Sequence, residues 1–141
     1  MNGYLLDTNI LSELRKGARA HPAVRRWAAG TAREIHKVSV LSLGEIRKDI
    51  DILQRRSPQQ ARVLNSWLDR LRTNYADDLL PIESQIVDRW GRLEATRSLA
   101  VIDGLLAATA LVHDLVLATR NTRDFTDTGV SLVNPFDHSP I

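Results

Sequence analysis

Five short apolar runs rich in β-formers, separated by stretches of helical periodicity, constrain this 141-residue chain more than any other feature. The runs are Tyr4-Leu5-Leu6, residues 35–40, residues 79–82, residues 115–118 and residues 130–133. Strands that alternate with amphipathic helices predict an α/β domain, a largely parallel sheet covered by helices. Pro81 places the third run at a sheet edge, because proline cannot donate to a ladder. Helix starts are legible at Pro22, in a stretch ended by Gly30, at Ser42, at Ser57-Pro58 and at Ser84. The longest helix, near 58–75, aligns Leu64, Trp67, Leu68, Leu71 and Tyr75 in one apolar stripe. Trp90 with Ile86 and Leu93 reads the same way, and Trp27 also reads as core, which argues against an aromatic platform for stacked bases. No repeat, linker or low-complexity tract divides residues 1–141, so a single domain is expected.

Composition narrows the chemistry. The chain has no cysteine, which excludes disulfides, thiolate nucleophiles and cysteine-held metals and fits a reducing compartment. There is no signal-like N-terminus and no apolar run near the eighteen or so residues of a membrane span, so the expectation is a cytoplasmic protein without a membrane partner. Net charge is only +2, but residues 15–72 hold fourteen basic against five acidic side chains, while residues 73–141 hold five against ten. Sixteen of the nineteen cations are Arg, whose planar fork suits phosphate. A solvated basic helix face accounts for the same pattern, so this segregation supports a nucleic-acid reading without making one.

In an open parallel sheet, ligands gather beyond the carboxyl ends of the strands. Here those positions are acidic. Asp7 ends the first run and is followed by Thr8 and Asn9; Glu45 is expected in the first turn of a helix opening at Ser42, just after the second run. Asp103 lies within the apolar, small-residue helix Val101-Ile102-Asp103-Gly104-Leu105-Leu106-Ala107-Ala108, and Asp124 follows the fourth run. Each acid has a structural reading as well: Asp7 and Asp103 as helix caps, Glu45 in a capping box with Ser42, Asp124 in an Asx-turn. Jointly these readings are strained, because two unit charges about 4 Å apart cost roughly 4 kcal/mol at an effective dielectric near 20. Protonation relieves that repulsion, and a hard divalent cation relieves it better. Such an ion also acidifies water and stabilises charge on a phosphoryl oxygen.

Other designs fit poorly. His21, His36, His113 and His138 are scattered, and no nucleophile elbow, Walker-A loop or G-x-G-x-x-G occurs. A phosphorylated Asp7 is disfavoured too: Asp7-Thr8-Asn9 lacks the second acid of D-x-D, and no lysine follows Lys48.

Four segments carry a resemblance: Leu6-Asp7-Thr8-Asn9, Leu43-Gly44-Glu45-Ile46, Asp103-Gly104-Leu105-Leu106-Ala107-Ala108-Thr109-Ala110, and Thr119-Arg120-Asn121-Thr122-Arg123-Asp124-Phe125. In this order and at this length the sequence resembles the PIN-domain family, and within it the VapC-like and FitB-like toxins of type II toxin–antitoxin pairs. That resemblance implies a three-layer α/β/α fold with a five-stranded, mainly parallel sheet. It implies a Mg²⁺- or Mn²⁺-dependent endoribonuclease whose metal-binding quartet is Asp7, Glu45, Asp103 and Asp124, with Asn121 and Thr8 as supporting polar groups. It further implies a homodimer and a separate antitoxin that blocks the site. Val101-Ile102 departs from the small or proline-containing turn many relatives carry before the third acid. RNA as substrate comes from the resemblance; the basic segment is compatible with it and nominates Arg47, Lys48, Arg55 and Arg56 as backbone contacts. A catalytically idle PIN-like module that binds RNA or a partner protein is the alternative.

Overall fold

The computed structural model describes residues 2–137. Five parallel strands, β1 (Tyr4–Leu6), β2 (His36–Ser39), β3 (Leu79–Leu80), β4 (Val116–Ala118) and β5 (Leu132–Val133), form one sheet in the order β3-β2-β1-β4-β5. All four neighbouring pairs are parallel, and Pro81 follows β3 at the edge, as its missing N–H requires. The helices are α1 (Thr8–Leu14), α2 (Pro22–Ala29), α3 (Val40–Gln54), α4 (Pro58–Asn74), α5 (Ser84–Thr96) and α6 (Val101–Val112).

Strand alternation builds two cores. Leu6, Val38 and Ala118 point to one face and pack with Ile10, Trp27, Ile46 and Leu68 from α1 to α4, while Leu5 and Leu117 point to the other and meet Ile86, Leu93 and Leu106 from α5 and α6. Leu79 and Val133 join the first face, Leu80 and Leu132 the second, so each two-residue edge strand contributes one side chain to each layer. Full burial of each Leu or Ile is worth roughly 1.5–3 kcal/mol, which holds short strands in register. The result is the three-layer α/β/α arrangement expected. Trp27 is buried as predicted, whereas Trp67 and Trp90 are half-buried against the two cores.

Two boundaries correct the sequence reading. Helix α3 begins at Val40 because the side chain of Ser39, not Ser42, accepts from the Leu41 N–H at 3.1 Å. Ser42 is therefore inside the helix and buried. Helix α6 starts after Ala100 with no side-chain cap, so Asp103 sits in its first turn, where the helix dipole favours an anion, but is not its cap. Among the described residues no single helix is long and apolar enough to cross a membrane; α5 and α6 together reach the length but are bent by 119°.

Candidate active site

The sheet order places its topological switch between β1 and β4: the chain moves outward through β2 and β3, then returns to the other side of β1. Loops leaving β1 and β4 diverge there and open a crevice. The Asp7 N–H continues the ladder to the Ala118 carbonyl at 2.9 Å, fixing Asp7 at that switch. It is 9% exposed. One carboxylate oxygen, Oδ1, accepts from the Thr8 N–H at 2.7 Å, which caps α1; Oδ2 accepts from Thr119 Oγ1 at 2.8 Å and from Asn9 Nδ2 at 3.4 Å. Thus Asp7 does serve as an N-cap, and it faces the crevice as well.

For the other three acids the structural readings fail. Glu45 lies in the second turn of α3 because the helix starts at Val40, so it completes no capping box with Ser42. Its Oε1 instead accepts from Thr8 Oγ1 at 2.7 Å. Asp124 falls in the short 3-10 turn Thr122–Phe125, and Asp124 and Asp103 have no side-chain hydrogen bond or ion pair among the described residues.

A cleft of about 480 Å³ is lined by Asp7, Thr8, Glu45, Asp103 and Asn121, together with Asn9, Ser12, Asp49 and the end of α1. Asp124 is exposed at its margin, close enough for its charge to act on Asp7 and Asp103. Burial pushes the Asp7 carboxyl above the usual range, against the pull of its Thr119, Thr8 and Asn9 hydrogen bonds, and Asp124 adds to the rise. Asp103 is raised by burial first, then by the negative charges of Asp124, Asp7 and Glu45. The four acids therefore share one electrostatic site. Carboxyls raised by burial and by neighbouring negative charge in one cleft, as Asp7 and Asp103 are, are a mark of functional sites.

An all-oxygen donor set of this kind fits a hard cation. Among the described residues no three Asp, Glu or His side chains converge tightly enough to hold an ion by themselves.

The basic residues nominated from sequence stand outside the cleft. Lys48 lines an apolar hollow with Val40, Leu41, Gly44 and Ile102, which shares Glu45 with the cleft. Arg47, two positions beyond Glu45, projects from a different helix face. Arg55 and Arg56 follow the C-terminus of α3, roughly 15 Å along the axis from Glu45. Sequence reading missed Asp49, four residues after Glu45, and Ser12, four after Thr8; helical spacing was the signal for both. His21 is exposed, His36 is buried among Trp27 and Thr31, and His138 lies outside the described residues.

Comparison with known proteins agrees with this architecture. The PIN domain family matches residues 4–130. VapC ribonuclease Y4jK of Sinorhizobium fredii is 32% identical, across 94% of this chain and 97% of that protein. The crystal structure of FitAcB from Neisseria gonorrhoeae superposes with a TM-score of 0.84 at 26% identity, covering 95% of this chain and 99% of that one. A toxin–antitoxin complex from Klebsiella pneumoniae gives 0.66 at 25% identity, covering 94% and 98%. With the family matched over most of its length and the switch-point crevice in place, the chain belongs to the PIN-domain family, as one of its VapC/FitB-like members.

Proposed function

We propose that this protein is a Mg²⁺- or Mn²⁺-dependent endoribonuclease and the toxin of a type II toxin–antitoxin pair, acting in the cytoplasm. The observation that carries the reading is one cleft lined by Asp7, Glu45 and Asp103, in which the partly buried Asp103 carboxylate has no hydrogen bond or ion pair among the described residues and is raised by burial first and then by the charges of Asp124, Asp7 and Glu45. The naming of the Sinorhizobium relative as a ribonuclease supports it. Asp7, Glu45 and Asp103, with Asp124 at the margin, are the residues that would hold the ion, with water completing its coordination. When bound, a divalent ion supplies positive charge to a phosphoryl oxygen and lowers the pKa of water. The protein's own part is positional: Thr8 orients Glu45, Thr119 and Asn9 orient Asp7, and Asn121 offers an uncharged polar group on the cleft wall.

The antitoxin is a partner whose basic side chain enters the acidic cleft, since a guanidinium pairs with carboxylates as a cation does. The toxin–antitoxin complex among the similar structures supports such a partner. The homodimer is proposed through Val101 and Ile102, 59% and 37% exposed, beside the apolar hollow of Val40, Leu41 and Gly44. Trp67 and Trp90 are half-buried against their own cores. Of the four basic residues, Lys48 is the one beside the cleft and is the RNA contact among them.

Purified protein is expected to cut single-stranded RNA with Mg²⁺ or Mn²⁺ and to stop with EDTA. Asp7→Asn, Glu45→Gln and Asp103→Asn should each cost about 100-fold or more in rate, because each removes ligand charge while keeping shape. Undiminished cleavage in excess EDTA, or near-normal turnover in all three variants, would overturn the reading.

A further inference from the structure

The acidic cleft has two cations on its wall, and they are not equivalent. Arg15 caps the C-terminal end of α1 and Lys16 follows it, two turns past Thr8 and one past Ser12, and both line the cleft wall. Lys16 Nζ is engaged by Glu13 Oε1 at 3.0 Å. Arg15 has no such partner: among the described residues its side chain makes no hydrogen bond and no ion pair. Its guanidinium rests instead over the Trp67 ring, 5.6 Å from the centroid.

That position is a junction. Arg15 lines the acidic cleft, and it also lines two smaller hollows, one with Leu53, Gln60, Val63 and Leu64, the other with Leu11, Leu14, Trp67 and Leu71. Arg15 is exposed, so its N–H donors face water at the cleft mouth and can exchange that water for a ligand at little cost. An arginine over an aromatic face is held by the ring quadrupole while its donor edge stays free. A planar fork with a free edge, fixed at the mouth of a phosphodiester-cleaving cleft, fits a phosphate.

Resting on the nuclease reading above, we propose that Arg15 is a substrate-binding residue that grips a backbone phosphate flanking the scissile one, with Trp67 holding its guanidinium in place. The free donors, the shared wall with Asp7 and Glu45, and the ring beneath select RNA phosphate over a base edge. Binding at a flanking phosphate costs no catalytic charge, so the residue acts through substrate affinity and strand register.

The test compares Arg15→Ala, Arg15→Lys and Trp67→Leu with wild type and with Arg92→Ala, an exposed arginine on α5 paired with Asp88. Each is assayed on oligoribonucleotides lengthened one nucleotide at a time on either side of the cut, at several salt concentrations. Arg15→Ala should raise KM about tenfold with kcat within about threefold, and lower the salt slope of RNA binding by about one unit. Arg15→Lys should keep the slope and lose part of the affinity, Trp67→Leu should fall between, and the effect should vanish on substrates too short to carry the flanking phosphate. Unchanged KM and slope in Arg15→Ala, with Asp103→Asn inactive, would overturn the Arg15 assignment and leave the nuclease reading standing. Weakened antitoxin capture with unchanged RNA binding would also overturn it, giving the residue to the protein partner. RNA binding without cleavage that still loses one unit of slope in Arg15→Ala would retain the assignment and overturn the nuclease reading.

Discussion

Thr8 Oγ1 donates to Glu45 Oε1 at 2.7 Å across 37 residues of sequence, tying the first turn of α1 to the second turn of α3. Both helices start at neighbouring strand ends, so this one bond sets where the Glu45 carboxylate stands relative to Asp7. Removing it frees a flexible side chain in the site without changing any charge. Thr8→Val should lower RNA cleavage about tenfold and raise the Mn²⁺ concentration needed for half-maximal rate, whereas Thr8→Ser should restore both. A titration of rate against Mn²⁺ checks this; equal half-maximal concentrations in Val and wild type would make the bond incidental.

Thr119 holds the other end of the cluster. Its hydroxyl donates to Asp7 Oδ2 at 2.8 Å and accepts from the Asn121 N–H at 3.1 Å, so it couples the first acid to the β4 loop. The bond favours the ionised carboxylate, offsetting part of the rise that burial imposes. Thr119→Val removes that offset, so Asp7 should hold its proton to higher pH. The acid limb of the pH–rate profile should therefore move to higher pH while the alkaline side is unchanged. A profile with an unmoved acid limb would show that Asp7 ionisation does not gate the reaction.

Asp103 has the opposite relation to stability. Its carboxyl is raised above the ordinary aspartate range by burial and by its acidic neighbours, so the folded chain binds that proton more tightly than the unfolded chain. Ionising Asp103 therefore destabilises the metal-free fold, fully at neutral pH and not at all below the unfolded value. Asp103→Asn should melt a few degrees above wild type at pH 7 without metal, with the gap closing as pH falls from the raised folded value towards the unfolded one. Mn²⁺ should raise the wild-type Tm more than the variant's. Thermal melts at several pH values, with and without Mn²⁺, report both effects. A variant that melts lower than wild type at neutral pH would mean Asp103 is held by a structural contact.

Much of this site is legible in sequence, for a physical reason. Asp7 and Asp103 are carboxylates embedded in apolar runs, where burial makes any acid conspicuous. Strand positions were visible because Leu5-Leu6 and Leu117-Ala118 divide between the two cores, although β3 and β5 shrink to two residues each. What was not legible depends on three-dimensional closure. Ser39 and Ser42 are both serines near the start of α3, and only the Ser39 bond to the Leu41 N–H decides between them. That choice moves Glu45 from the first turn to the second. Segregated positive charge pointed to residues 47–56, but α3 carries most of those away from the acids. The cations that reach the cleft, Arg15 and Lys16, come from the end of α1.

Gly104 directly follows Asp103 and is the point where α6 presses on α5. A Cβ there would stand 2.9 Å from Trp90 Cδ1 and Nε1 and 3.0 Å from Glu94 Oε1, closer than carbon contacts allow. The indole cannot retreat freely, because Trp90 packs into the core formed with Ile86, Leu93 and Leu106. Gly104→Ala must therefore part the two helices or displace the first turn of α6, which carries Asp103. The expected cost is about 1–3 kcal/mol of stability, and cleavage at 25 °C by the folded fraction should fall about tenfold or more through misplacement of the carboxylate. Gly91, also helical but with nothing within 4 Å of a Cβ, is the matched control. Gly91→Ala should gain about 0.5–1 kcal/mol from helix propensity and leave cleavage unchanged. Denaturant melts and single-turnover rates on both variants separate packing from propensity. A Gly104→Ala protein as stable and as active as Gly91→Ala would show that the α5–α6 contact does not position the third acid.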